Sequence, residues 1–264
     1  MAKSISKKAR QYVKGFFYGL HPLTAQIHPC VKKYWVVRRS FISNRWKYCY
    51  FRIPKCANST IARSLFKYEQ GSLYDLSADP RGRVAKQSSD RLLSARALSA
   101  DALCSKYFLF TFARNPYERL LSAYLDKIAR LDNTGFDSIR KLIRSCAGTK
   151  KDVTFADFAQ YLEKSGLYQD PHWIPQTAML PVAVSRIHYV GRIEHLDADL
   201  EYVINQIFGQ GTYQMTFTRQ DRHTNSTAKI MAHYDKNLFE RVYKLYEVDF
   251  QAFSYPKIWS AGTD

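Results

Sequence analysis

Two segments of this chain repeat one plan, and that plan limits what the chain can fold into. The first runs Tyr48-Cys-Tyr-Phe-Arg-Ile-Pro54-Lys55-Cys56-Ala57-Asn58-Ser59-Thr60. The second runs Tyr107-Phe-Leu-Phe-Thr-Phe-Ala113-Arg114-Asn115-Pro116-Tyr117-Glu118-Arg119 and on to Ser122. Each is an apolar, aromatic run that stops at a cation and then enters a helical pattern. A strand, loop and helix in that order put a cation and a helix N-terminus at the carboxyl end of the strand. Unpaired N–H groups and the helix dipole favour an anion there. Two such places about sixty residues apart point to a ligand with two separated anionic groups.

The rest of the chain follows the same alternation. Strands are expected over 48–53, 107–112 and 186–190. Helices are expected over 60–68, 90–104, from Pro116 to about Arg130, and over 153–165, 197–208 and 235–250. Asn115 can cap its helix, with Pro116 at the first position, where a missing N–H costs nothing. Polar residues over 71–90 and 209–229 read as loops. Strands alternating with helices mean an α/β fold with a mostly parallel central sheet flanked by helices, and ligands at the strand carboxyl ends.

Charge is distributed unevenly. Residues 1–68 carry 15 Lys and Arg and no acid, whereas the other 25 basic side chains nearly balance all 23 acidic ones. A cationic N-terminal quarter favours polyanions: acidic glycans, nucleic acid or an anionic membrane. Trp, Tyr and Phe interleave with the charges, so 1–46 reads as a basic aromatic arm that packs on the body. The five cysteines, Cys30, Cys49, Cys56, Cys104 and Cys146, show no CxxC and no metal-ligand spacing. That pattern predicts a reducing compartment and no metal. The longest early apolar run, Gly15 to Leu20, is shorter than the roughly 20 residues that span a bilayer. The expected location is cytoplasmic, with peripheral contact at the inner membrane face.

The loop Lys55-Cys56-Ala57-Asn58-Ser59-Thr60 is built of small residues, so its amides can approach a phosphate. Two hydroxyls add donors and the lysine adds a point charge. No Walker A sequence occurs, which disfavours a magnesium-dependent nucleotide kinase or triphosphatase. Ser122 lies eight residues beyond Arg114, a little over two helical turns. A guanidinium fork and a hydroxyl can therefore converge on one phosphate.

These residues resemble the carbohydrate sulfotransferases, in particular the chondroitin 4-O-sulfotransferase-like group of sulfotransferase family 2. Pro54-Lys-Cys-Ala-Asn-Ser-Thr60 looks like their 5′-phosphosulfate loop. Arg114-Asn-Pro-Tyr-Glu-Arg-Leu-Leu-Ser-Ala-Tyr124 looks like their 3′-phosphate motif. Asp170-Pro-His172-Trp173-Ile-Pro-Gln176, Tyr189-Val-Gly191-Arg192-Ile-Glu194-His-Leu196 and Val242-Tyr-Lys-Leu-Tyr-Glu-Val-Asp-Phe250 resemble later blocks. The resemblance covers about 48–255 and leaves 1–46 and 70–105 unmatched. It implies a P-loop-like three-layer fold, with a sulfotransferase domain over 47–264.

It also implies a donor, 3′-phosphoadenosine 5′-phosphosulfate, with no metal, and transfer of the sulfuryl group to a hydroxyl of a carbohydrate or glycolipid acceptor by in-line displacement. Lys55 would contact the phosphosulfate bridge. Cys56, Ala57, Asn58, Ser59 and Thr60 would form the 5′-phosphate loop. Arg114 and Ser122 would hold the 3′-phosphate, and Arg219, Arg222 and His223 lie where the family closes over the adenosine. His172, in the Pro-His-Trp block, is the expected general base. Some related enzymes draw the base from a histidine or glutamate between the two phosphate motifs. Here no histidine lies between Cys56 and Arg114, and Glu69 is the only glutamate. His188 reads as a core strand residue. No nucleic acid is expected as a partner. The rival reading is a non-catalytic anion-binding protein of the same fold acting on nucleic acid or an anionic membrane; intact Lys55, Arg114 and Ser122 favour the enzyme.

Overall fold

The computed structural model describes residues 22–88, 99–214, 230 and 232–257. The first part of the basic arm, most of the expected helix 90–104, and Arg219, Arg222 and His223 lie outside them. The chain forms two compact units. One comprises Met1–Ile53, Ala57–Phe112 and Ala178–Thr216; the other comprises Pro54–Cys56, Ala113–Thr177 and Phe217–Asp264.

The first unit is built on a four-stranded, mostly parallel sheet of order β1-β2-β3-β4, where β1 is Ser40–Ser43, β2 Tyr48–Phe51, β3 Phe108–Ala113 and β4 Tyr189–Arg192. β2 and β3 run parallel, with Tyr50 opposite Phe110 and Phe51 opposite Thr111. Both strands are buried almost throughout, which suits continuous apolar runs covered on both faces. Tyr50 and Phe110 stack with centroids 4.9 Å apart, a cross-strand pair that fixes this register. β1 is an element the sequence reading placed inside the arm. It pairs antiparallel with β2, and all four of its residues are buried.

Helices α1 (Lys33–Val37), α2 (Asn58–Gln70), α3 (Arg83–Ser88) and α4 (Ala100–Lys106) belong to this unit. The stretch 71–90, read from sequence as a loop, thus contains a short helix. β4 begins later than expected. His188 is not a core residue but an exposed one, whose Nδ1 accepts the Leu109 N–H at 2.8 Å in place of a backbone carbonyl. Gly191 in β4 is required by packing: a Cβ there would lie 2.5 Å from the Phe112 ring.

The second unit holds α5 (Pro116–Lys127), α6 (Asp137–Ala147) and α7 (Phe155–Tyr161). In the first unit α8 is Leu196–Phe208, and in the second α9 is Lys236–Ala252. Aromatic side chains form the second unit's core. Tyr117 stacks on Phe239 at 3.7 Å, and Phe158 meets Trp173 edge-on at 5.2 Å. α7 starts with a complete capping box between Thr154 and Asp157 and runs into a π turn, Leu162–Gly166. The buried Arg140 of α6 donates to the carbonyls of Lys127, Arg130 and Asn133, which satisfies acceptors at the end of α5.

Candidate active site

The loop after β2 is divided between the units at Cys56. Lys55 and Ala57 have positive φ, 71° and 45°, the left-handed region that costs an L-residue roughly 1–2 kcal/mol. α2 then starts without any side-chain cap on its first N–H groups. Strain and unsatisfied donors at one place are the marks of a backbone shaped around a ligand. In the second unit Lys55 Nζ meets Asp126 Oδ2 at 2.9 Å, and Lys127 reaches the same oxygen at 3.0 Å. Burial pulls the Lys55 pKa down, the Asp126 carboxylate pulls it up, and the Lys127 and Arg114 cations pull it down further. Burial pushes Asp126 up, but the two lysines outweigh that and hold it at about 2.

Arg114 also lies in the second unit and is 8% exposed. Its Nε and Nη2 donate to Glu118 Oε2 at 3.3 and 3.0 Å. Among the described residues no acceptor meets Nη1. Its backbone is clamped on both sides by the fully buried Gln176, whose Oε1 accepts the Arg114 N–H and whose Nε2 donates to the Arg114 carbonyl. The Cys56 thiol donates to the same Oε1 at 3.4 Å. One amide thus joins the two loops that carry Lys55 and Arg114. Gln176 is itself held by Asp249 of α9, which accepts from the backbone of Gln176 and Thr177 and from the Thr177 hydroxyl.

Arg119, 1% exposed, is a second strut. Its Nε donates to the Pro54 carbonyl at 3.0 Å, and its Nη1 and Nη2 donate to the carbonyls of Ile174 and Pro171 at 2.8 and 3.5 Å. One buried guanidinium therefore fastens the residue before Lys55 beside the residue before His172. The His172 ring meets Asp170 Oδ1 through Nδ1 at 2.5 Å, and its backbone N–H donates to the same oxygen. Trp173 anchors the block from below: its indole N–H donates to the Gly166 carbonyl, and its own carbonyl accepts from the Tyr246 hydroxyl. Gly166 admits no side chain, since a Cβ would lie 2.1 Å from the Tyr161 ring.

Ser122 is half-buried on α5, four residues before Asp126, so the two share a helix face. The second unit thus gathers Lys55, Cys56, Arg114 and His172 around two buried struts, with Ser122 on the helix face that meets Lys55. The first unit carries the other loop residues. Asn58 accepts from the Tyr50 hydroxyl at 3.3 Å, and the Ser59 hydroxyl accepts from Lys86 Nζ at 2.7 Å. Ala57 and Thr60 open α2 beside them. Glu69 accepts from the Tyr48 hydroxyl at the amino end of β2, the end opposite the one the loop leaves, so it is removed from the chemistry. Sequence reasoning gave no role to Asp126, Arg119, Gln176 or Asp249. The last carried a usable signal: an acid between Tyr246 and Phe250 on the apolar face of α9 must be satisfied inside the fold. Among the described residues no group of His, Cys, Asp and Glu is placed to hold a metal ion.

Comparison with known proteins establishes the family. The model of the sulfotransferase family matches residues 38–256, and the chain belongs to that family. The match begins ten residues before the first motif and so takes in β1. Among characterised proteins the chain is 28% identical over 235 residues to carbohydrate sulfotransferase 14 of Mus musculus, covering 84% of this chain and 61% of the relative. It is 26% identical over 245 residues to carbohydrate sulfotransferase 8 of Mus musculus, covering 85% and 58%. It is 26% identical over 259 residues to carbohydrate sulfotransferase 10 of Danio rerio, covering 87% and 69%. The chain therefore spans about three-fifths of the first relative's length. No solved structure matches it.

Proposed function

We propose that this protein transfers the sulfuryl group of 3′-phosphoadenosine 5′-phosphosulfate to a hydroxyl of a carbohydrate or glycolipid acceptor. The observation that carries this reading is the joining of Lys55 and Arg114 by Gln176. Two cations, one largely and one almost fully buried, follow neighbouring parallel strands in sequence, and the loops that carry them are tied together through Gln176. That suits a nucleotide with charge at both ends. Each unit offers groups suited to part of the donor: in the first, Ser59, Thr60 and the amides at the start of α2 would take the 5′-phosphate; in the second, Arg114 Nη1 and Ser122 would take the 3′-phosphate and Lys55 the bridging oxygen. The names of the relatives support the carbohydrate acceptor.

In this reading the acceptor oxygen forms a bond to sulfur as the bond from sulfur to the 5′-phosphate oxygen breaks, and negative charge gathers on that oxygen. Lys55 stabilises it. Because Asp126 holds the ammonium in the resting protein, charge is already in place and little reorganisation is needed. His172 accepts the acceptor's proton at Nε2, with Asp170 on Nδ1 fixing the tautomer and favouring the imidazolium that forms. Thermal-shift titration tests the reading, since a ligand that binds only the folded state raises the melting temperature. Adenosine 3′,5′-bisphosphate should raise it well beyond adenosine 5′-phosphate at equal concentration. Equal shifts, or none, reject the reading.

A further inference from the structure

The segment 74–88 of the first unit carries none of the family's motifs, yet it is built onto the start of α2. Its anchor is Asp79, a buried carboxylate that accepts from the Tyr74 hydroxyl at 2.8 Å and from the Arg83 and Ala85 N–H groups at 2.6 and 3.1 Å. Arg63 of α2 donates to the carbonyls of Leu76 and Pro80. Between them Gly82 turns with φ +58°, so close to α2 that a Cβ would sit 3.1 Å from the Ser59 carbonyl oxygen. This turn delivers Lys86, whose Nζ donates to Ser59 Oγ at 2.7 Å and to the Arg81 carbonyl at 2.8 Å. Among the described residues no carboxylate is bonded to it. Asp79 attracts it from a distance, while Arg52 and Arg83 repel it.

Among the described residues this half-buried ammonium meets neutral oxygens and other cations, an unfavourable arrangement for the fold alone. Burial and the neighbouring Arg52 bring its pKa down to about 8. Sign follows from linkage: a lysine depressed on folding withholds stability at neutral pH and gives it back as pH rises from about 8 towards the unfolded value. An anion at this place reverses the deficit. Hydrogen-bond geometry supplies the second argument. A serine hydroxyl has one proton, and with a lone pair of Ser59 engaged by the ammonium, that proton points elsewhere and is polarised as a donor.

We infer that Lys86 is a further donor-site residue, which positions the Ser59 hydroxyl and supplies a second cation for the 5′-phosphosulfate end of the nucleotide. The inference rests on the sulfotransferase reading, and extends it to a segment outside the family's motifs.

Isothermal titration of adenosine 3′,5′-bisphosphate and adenosine 3′-phosphate tests it in the wild type, Lys86→Met, Lys86→Arg, Ser59→Ala and the Lys86→Met/Ser59→Ala pair. Lys86→Met should weaken the bisphosphate about tenfold, the ordinary effect of one charge-assisted hydrogen bond, and leave adenosine 3′-phosphate within about twofold. The double variant should lose less than the product of the two single losses, because the side chains act together. Above about pH 7 the phosphate is fully ionised, so wild-type affinity should fall as pH rises through about 8. Lys86→Arg should keep the affinity and lose that fall, since a guanidinium does not titrate there. Bisphosphate affinity of Lys86→Met within twofold of wild type overturns the inference. If that variant does not fold, bisphosphate affinity of Lys86→Gln within twofold of wild type overturns it. If both nucleotides bind and the Lys86 variants match wild type, the inference fails alone. If neither nucleotide binds the wild type, the sulfotransferase reading fails with it.

Discussion

The two cationic loops begin from the same strand–loop–helix plan and reach an anion site by different means. The loop after β3 is conventional. Asn115 caps α5 by accepting the Tyr117 N–H at 3.0 Å, and Pro116 takes the first helical position. Its helix N-terminus is therefore partly satisfied from within, and the anion-binding capacity sits in the Arg114 side chain. The loop after β2 is strained. Lys55 and Ala57 are left-handed, and α2 has no side-chain cap. There the N-cap Ala57 offers the first amides no side-chain acceptor; within the second unit Asp126 holds Lys55, and within the first Lys86 holds Ser59. A capped helix start binds through its cation; an uncapped one binds through its amides as well.

This contrast can be broken at several points. The largest effect should come from the strut behind the conventional loop. Asp249→Ala removes the acceptor of three donors and leaves the buried Arg119 without its nearby charge, a loss of about 3–5 kcal/mol. Melting curves would register it as a large drop or as failure to fold. Urea unfolding within 1 kcal/mol of wild type would show that Gln176 is held without Asp249.

Next is Lys55→Ala. Loss of a positioned charge at the leaving group should lower kcat about 10²–10³-fold with the far-ultraviolet spectrum unchanged. Steady-state rates with a carbohydrate acceptor decide it, and near-normal turnover removes Lys55 from the chemistry. Arg114→Ala should remove most of the preference for adenosine 3′,5′-bisphosphate over adenosine 5′-phosphate, about 1.5–3 kcal/mol. The same change should spare binding of the 5′-monophosphate, which reports the strained loop. A variant that loses both ligands equally would merge the two loops into one function.

A smaller effect is expected in acid. Asp126 is held at about 2, below its ordinary value, so its ion pairs with Lys55 and Lys127 add stability above about pH 4 that is lost as pH falls towards 2. The carboxylate is about one-third exposed, so water screens much of this. Asp126→Asn should flatten that part of the stability profile, and an unchanged profile would assign the acid limb to other carboxylates. The smallest effect is that of Ala57→Gly. Relief of the left-handed φ and added freedom in the unfolded chain nearly cancel, so stability should move by less than about 1 kcal/mol. A clear gain in stability with weaker nucleotide binding would show the strained loop to be held in shape for its ligand.

Much of the conventional loop could be read from sequence, because caps and first-turn prolines follow rules that act within four residues. Asn115, Pro116 and the start of α5 fall where those rules put them, while the helix ends at Lys127, short of the expected Arg130. The strained loop shows why the rest could not. Small residues announced a close backbone approach, but nothing in Lys55-Cys-Ala-Asn gives away a left-handed lysine. β1 escaped notice because Ser40-Phe-Ile-Ser lies inside a basic stretch. Its strand character comes from β2, which supplies every partner it has in the sheet. His188, expected inside a strand core, stands exposed just before β4, and its ring nitrogen accepts the Leu109 N–H, a partner 79 positions away that no local pattern marks.

The chain's own order of residues determined which groups are available: two strand ends closing on a lysine and an arginine, hydroxyls at the first helix start, an Asp-Pro-His-Trp turn. Those are local matters, settled by side-chain chemistry and backbone preference over a few residues. The tertiary structure decided which of them meet. Gln176 reaches Arg114 across 62 positions, Arg119 reaches Pro54 across 65, Lys55 reaches Asp126 across 71, and Lys86 reaches Ser59 across 27. Each contact joins a polar group to a partner that no periodicity marks. It forms because a buried donor or acceptor left alone costs about 1–3 kcal/mol, and only the folded packing determines which partner lies within reach.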